Sequence, residues 1–305
     1  MKKIIFIIAI LGLAWNANAQ QIGTFSQTNE NKYLINPAVA GSSDAMPVFI
    51  GYKQMWTGID QAPSSQMMTF HMKLGNDLGG VGAKLFNYST GPLSKAGINL
   101  SYAYHLELND DMKLSFGLSG ALYQVNINRA ELLVEDPNDN LIINGSEKLI
   151  VPDANFGIYL YSTNYYVGIS SMQLFGRKAN MMNDELNFNQ ERHYFLNGGY
   201  IFEINEDFKL EPSLLVKVVE SGYGQWDLML KTTYKDLVWL AAGYRSDFAF
   251  APNDVVVSLG VQQDKIKLGY AYDYTLSSIG QFSTGTHEII FMYMFGQTNK
   301  SAYKW

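Results

Sequence analysis

The chain has 305 residues, of which 14% are aromatic and 16% charged, with 20 Tyr, 27 Gly and no Cys. A charged fraction so far below the roughly one quarter of soluble domains, at near-neutral mean hydropathy, excludes a bundle of membrane helices but suits a barrel whose strands are half apolar. The net charge of -6 argues against nucleic acid as a partner, and the lack of Cys rules out disulfides, thiolate metal sites and Cys nucleophiles.

The first residues read as an export signal. Met1-Lys2-Lys3 is cationic, residues 4–15 are apolar, and Ala17-Asn18-Ala19 is an A-x-A site, so cleavage is expected between Ala19 and Gln20. The apolar run is too short to span about 30 Å of hydrocarbon, and no later segment offers the roughly 20 apolar residues of a spanning helix. Four parts are expected: a signal peptide (1–19), an N-terminal segment (20–47), a barrel (48–295) and a tail (296–305). The N-terminal segment holds Phe25, Tyr33, Leu34 and Ile35 before Asn36-Pro37-Ala38. It is more patterned than a disordered tail and is expected to be a plug, a lumen lining or a periplasmic contact, with a disordered leader as the alternative.

From Val48 onward one alternation recurs. It predicts fourteen strands at 48–56, 66–74, 78–88, 97–107, 112–124, 154–161, 164–171, 192–203, 208–219, 225–234, 237–246, 254–263, 265–274 and 286–295. Ile98, Leu100, Tyr102, Tyr104 and Leu106 share one face of the fourth strand, and Asn99, Ser101, Ala103, His105 and Glu107 the other. Later strands repeat this, with Leu228 and Leu230 opposing Asp227 and Lys231, and Val255, Val257 and Leu259 opposing Ser258 and Gly260. Every second connection is a tight Asn/Asp turn, and the others, at 57–65, 89–96, 125–153, 172–191, 220–224, 247–253 and 275–285, are longer. This sorting is that of a transmembrane antiparallel outer-membrane β-barrel with short periplasmic turns and long extracellular loops; a soluble Greek-key sandwich has no reason for it. Trp226 and Tyr274 near the loop side, and Tyr104 and Tyr234 near the turn side, fall where aromatic belts belong. An even strand number puts both ends of the barrel, and with them both termini, on the periplasmic side. Inward Gly, Ala and aromatic positions such as Phe49, Tyr159 and Phe195 point to a partly filled lumen.

Catalytic patterns are missing. The four histidines, His71, His105, His193 and His287, show no metal spacing, and no G-x-S-x-G elbow is present. Gly79-Gly80-Val81-Gly82 sits inside a strand, where close packing against a large inward side chain is the expected role. The acid-rich residues 135–140 lack the glycine and terminal Glu of an EF-hand. No cofactor, metal or enzymatic activity is expected.

Several stretches together resemble the PorP/SprF family. Ile35-Asn36-Pro37-Ala38-Val39-Ala40-Gly41 is similar to that family's opening, and Tyr52-Lys53-Gln54-Met55-Trp56-Thr57-Gly58 to its first strand, with Lys53 where the family usually has Arg. Tyr102-Ala103-Tyr104-His105, Pro152-Asp153, His193-Tyr194, Gly243-Tyr244-Arg245, Tyr272-Asp273 and Gly285-Thr286-His287-Glu288 follow in order along the chain. The resemblance implies a non-enzymatic outer-membrane protein of the type IX secretion and gliding-motility apparatus. Such a protein would work with other secretion components and assist or anchor a secreted adhesin carrying a C-terminal sorting domain. It marks Asn36, Pro37, Trp56, His105, Asp153, His193, Arg245, Asp273, His287 and Glu288 without assigning them roles. The apolar content of the longest connection, including Leu132, Leu133, Leu141 and Ile142 beside Asp136, makes it the expected contact with a partner. The alternative is a passive channel for small or hydrophobic solutes.

Overall fold

The computed structural model describes residues 23–75, 79–128, 146–176, 178–181 and 186–296. Ala19 and Gln20, the tail beyond Gly296, and Leu132, Leu133, Asp136, Leu141 and Ile142 lie outside them.

β1 (Met46–Gln54), β2 (Ser64–Lys73), β3 (Gly79–Thr90), β4 (Leu93–Glu107), β5 (Met112–Asn128), β6 (Ser146–Ser162) and β7 (Tyr165–Met172) pair in succession. β8 (Lys178–Met181) and β9 (Leu186–Asn189) form a separate small hairpin inside the predicted connection 172–191. β10 (His193–Tyr200) resumes after a break at Ile201 as β11 (Phe202–Glu203), and the two act as one barrel strand. β12 (Phe208–Val219), β13 (Gly224–Tyr234), β14 (Val238–Asp247), β15 (Pro252–Gln263), β16 (Ile266–Thr275) and β17 (Thr286–Phe295) complete the series. Pairing of β10 with β12, and of β1 with β17, closes a barrel of fourteen antiparallel strands.

The alternation read from the sequence is the alternation of burial. Leu100, Tyr102, Leu118, Ile169, Leu240 and Leu259 are exposed on the outside, while Asn99, Ser101, His105, Ser115 and Ser119 are buried inside. A continuous apolar exterior of this kind is stable against hydrocarbon and not against water. Rings cluster at its turn-side edge, where Tyr200 packs 4.5 Å from Phe202 and Phe208 4.8 Å from Tyr234.

The strand ends depart from expectation at the loop side. The predicted connection 89–96 is a tight turn at Gly91-Pro92, because Ser89–Ser94 and Tyr88–Lys95 remain paired. The predicted connection 125–153 shrinks likewise, since β5 and β6 stay in register from Asn128–Ser146 downward. Val125 and Ile127 are buried with Leu93 and Leu149 against them. These hairpins rise past the lipid, where no hydrocarbon enforces a strict apolar face and the sequence pattern fades. The connections at 55–63, 129–145, 173–192 and 276–285 remain longer than any turn at the opposite end.

Residues 23–45 run inside the barrel. They form three short 3-10 turns, Thr28–Glu30, Lys32–Leu34 and Pro37–Val39. Asn36 starts the third: its side chain accepts from the Ala38 amide, and Pro37 supplies the fixed φ of a first helical position.

With Leu118 facing lipid, Leu118→Arg should lower the yield of barrel folded into bilayers, at a cost of about 2–4 kcal/mol. Ser119 lies inward and accepts from Asn155 Nδ2 at 2.7 Å, so Ser119→Arg should still insert but become protease-sensitive inside the lumen. Heat-modifiability on gels and limited proteolysis read the two effects separately.

Candidate functional site

A backbone segment placed inside a barrel must find partners for its own N–H and C=O groups, since an unpaired buried group costs about 1–3 kcal/mol. Residues 23–45 meet this need from nearly every side of the lumen. Lys84 donates to Leu34 O at 3.0 Å, Ser170 Oγ to Ile35 O at 2.6 Å and Ser115 Oγ to Ala38 O at 2.7 Å. His105 Nε2 bonds Ala40 O at 2.8 Å, and its Nδ1 meets the Tyr161 hydroxyl at 3.0 Å. Asn36 Nδ2 donates to the Ile158 carbonyl at 3.0 Å, while its Oδ1 serves the Ala38 amide. The Tyr33 hydroxyl meets Ser101 Oγ at 2.9 Å.

Glycines make room for this segment along one wall. A Cβ on Gly80 would collide with the Ala40 carbonyl, one on Gly117 with the Ala38 backbone and one on Gly157 with the Asn36 amide. One on Gly82 would come 2.6 Å from the Tyr33 ring, the kind of inward packing expected of the Gly79–Gly82 stretch. β3, β5 and β6 therefore form a smooth face against which the segment lies.

The opposite wall is charged. Ser26 and Gln27 donate their backbone N–H groups to the two oxygens of Glu288, at 2.6 and 2.9 Å. Ser26 Oγ donates to Asp273 at 2.6 Å and accepts from Lys53 at 2.8 Å and Arg245 at 3.1 Å. Lys53 also reaches Asp273 at 3.0 Å and Glu288 at 3.6 Å. Arg245 pairs with Asp227 at 3.1 Å, Asp254 at 3.2 Å and Asp273 at 3.0 Å. Lys53, Asp273 and Glu288 are each no more than 2% exposed. A second cluster sits nearer the turn end. Glu30 binds Lys231 at 2.8 Å and Lys267, and Lys231 also reaches Glu211 at 3.3 Å.

The residues marked by sequence fall into three places. Arg245, Asp273 and Glu288 meet in one network, while Asn36, Pro37 and His105 hold the lower course of the segment. Asp153 and His193 belong to the loop-side lip. There Asp153 accepts from the Phe175 amide at 3.0 Å and from Gln190 at 2.5 Å, and His193 Nδ1 contacts Glu191 O at 3.0 Å, tying the connection 173–192 inward. Trp56 and His287 join none of these. Trp56 is the second residue of the connection after β1, with φ of 45°, and His287 faces outward, 2.6 Å from the Tyr270 hydroxyl. Sequence reading missed Ser26 and Glu30, placed Lys231 and Lys267 on inward faces without a role, and met Lys53 only as a departure from a motif.

Two cavities flank the segment. One of about 200 Å³ opens toward the turn end, lined by Glu30, Lys32, Tyr159, Lys209, Lys231 and Trp239 among others. The other, of about 30 Å³, lies toward the loops among Phe25, Phe86, Tyr88, Lys95, Tyr123 and Phe195. Among the described residues no group of His, Asp and Glu is arranged to hold a metal ion. The arrangement offers an internally braced barrel with an aromatic crevice toward the loops and a larger cavity lined by paired charges toward the turns.

Residues 17–293 match the family described as type IX secretion system membrane protein PorP/SprF. No curated protein matches the chain in sequence. Among solved structures, the Ralstonia pickettii toluene transporter TbuX is similar with a TM-score of 0.51 at 10% identity, over 85% of this chain and 91% of that one. A Pseudomonas aeruginosa FadL homologue aligns with a TM-score of 0.48 at 11% identity, over 85% and 91%. At such identities the likeness to TbuX extends to the barrel fold.

Removing one partner of a buried charge network leaves the others uncompensated, at about 3–5 kcal/mol. Lys53→Met should therefore lower the denaturant midpoint and expose residues 23–30 to protease, with the barrel still inserted. Lys53→Arg should retain most of the stability in the same assays.

Proposed function

The chain belongs to the PorP/SprF family of type IX secretion system membrane proteins, and we propose that it serves this machinery as a non-enzymatic outer-membrane component that assists or anchors a surface adhesin bearing a C-terminal sorting domain. The observation that carries this reading is the filled lumen. Residues 23–45 are bonded around the wall by charged pairs and backbone hydrogen bonds. A barrel filled in this way suits a platform for protein partners better than a conduit. The longer connections gather at one end, where they would meet an exported partner, and the turn end with its charged cavity would meet periplasmic components. In this reading the marked residues Asn36, Pro37, His105, Arg245, Asp273 and Glu288 brace the platform, while Asp153 and His193 shape its outer lip.

The alternative of a passive channel for small or hydrophobic solutes draws on one feature, the aromatic crevice at the loop end. TbuX, a toluene transporter by its description, shares the fold but contributes no more than that.

Two measurements separate the readings. Replacing residues 130–144 by a short Gly/Ser linker should leave the barrel heat-modifiable and inserted, because β5 and β6 are paired below that point, while surface display of the cognate adhesin falls. In planar bilayers the unmodified protein should show no steady conductance steps. Stable steps together with normal display by the loop variant would favour the channel.

A further inference from the structure

The path of the N-terminal segment has a direction. Gly23 lies at the loop end: a Cβ there would stand 2.6 Å from Ser65 Oγ and 3.6 Å from the Tyr88 ring, and Ser65 is the second residue of β2, which starts at that end. The Thr24 carbonyl accepts from Lys53 at 3.2 Å, near the loop end of β1. Ser26 bonds Glu288, near the loop end of β17. Lower down, Glu30 binds Lys267, the second residue of β16, which starts at the turn end. Ala40 then bonds His105 near the turn end of β4. The chain leaves the lumen there and begins β1 at Met46, paired with Phe295. Residues 23–45 thus descend through the whole barrel from its outer mouth to its inner one.

We infer that the N-terminal end of this segment, at Gly23, opens to the cell surface among the loops, although the first barrel strand starts from the periplasmic side. If export ends with cleavage after Ala19, Gln20, Gln21 and Ile22 precede Gly23. Three extended residues reach at most about 10 Å. A return to the turn end must cover the length of β1, nine residues at about 3.4 Å each, through a lumen already occupied by residues 25–41. Gly23 therefore belongs to the outer mouth of the barrel, three residues ahead of the network at Ser26. This placement rests on the route of the segment and is independent of the role proposed above.

The test uses the full-length protein in its own outer membrane. A short epitope tag inserted between Ala19 and Gln20 should bind antibody on intact cells as strongly as after the membrane is opened. Loss of the intact-cell signal, with binding only after opening, overturns the inference. Where the tag abolishes heat-modifiability, the Gly23→Cys/Ser65→Cys pair decides in a chain that has no other Cys. A disulfide that forms under mild oxidant supports the route, and full reactivity of both thiols overturns it.

Discussion

The structure depends on the bond between a two-residue stretch of backbone and one carboxylate. Glu288, buried on the last strand, takes the N–H groups of Ser26 and Gln27 on its two oxygens. It is held there because Lys53 lies 3.6 Å away and Asp273 shares the same lysine. A bare carboxylate in such a place would be costly, and so would two unpaired backbone amides. Each deficit is met by the other. Arg245, with its planar fork spread over three aspartates and the Ser26 hydroxyl, extends the same solution sideways. From Ile35 onward the segment uses neutral partners instead: hydroxyls, an imidazole and an amide set against backbone carbonyls.

Two walls divide the work. On one, glycine lets backbone approach backbone, so contact comes from shape. On the other, long charged side chains cross the remaining gap. The cavity toward the turn end runs beside this second wall, where lysine and glutamate stems bridge distances that close packing does not fill.

Much of the barrel was legible because lipid imposes a simple rule on every strand. Leu100, Leu118 and Leu259 had to face out, and their neighbours in sequence then had to face in. Where lipid ends, so does the rule, which is why Ser89, Thr90 and Lys95 read as loop and are strand. The interior was less legible for a different reason. Ser26 and Glu288 are 262 positions apart, and no local pattern carries information over that distance. Glycine at 82 announced a close approach but not that Tyr33 would make it. Arg245, Asp273 and Glu288 were marked by resemblance alone. Lys53, which joins two of them, stood out only by differing from the usual Arg, and its role depends on a segment whose course periodicity does not encode.

The position of Glu288 on β17 bears on how the molecule is made. The segment is synthesised before any strand, and the glycine-lined strands β3, β5 and β6 can receive it while the barrel is still an open sheet. Its upper end has no complete set of partners until β17 arrives. That strand also supplies the final seam, pairing with β1 from Met46–Phe295 to Gln54–His287. Glu288 and the closing seam lie on the same strand, so the segment's upper end has its full set of partners only in the closed barrel.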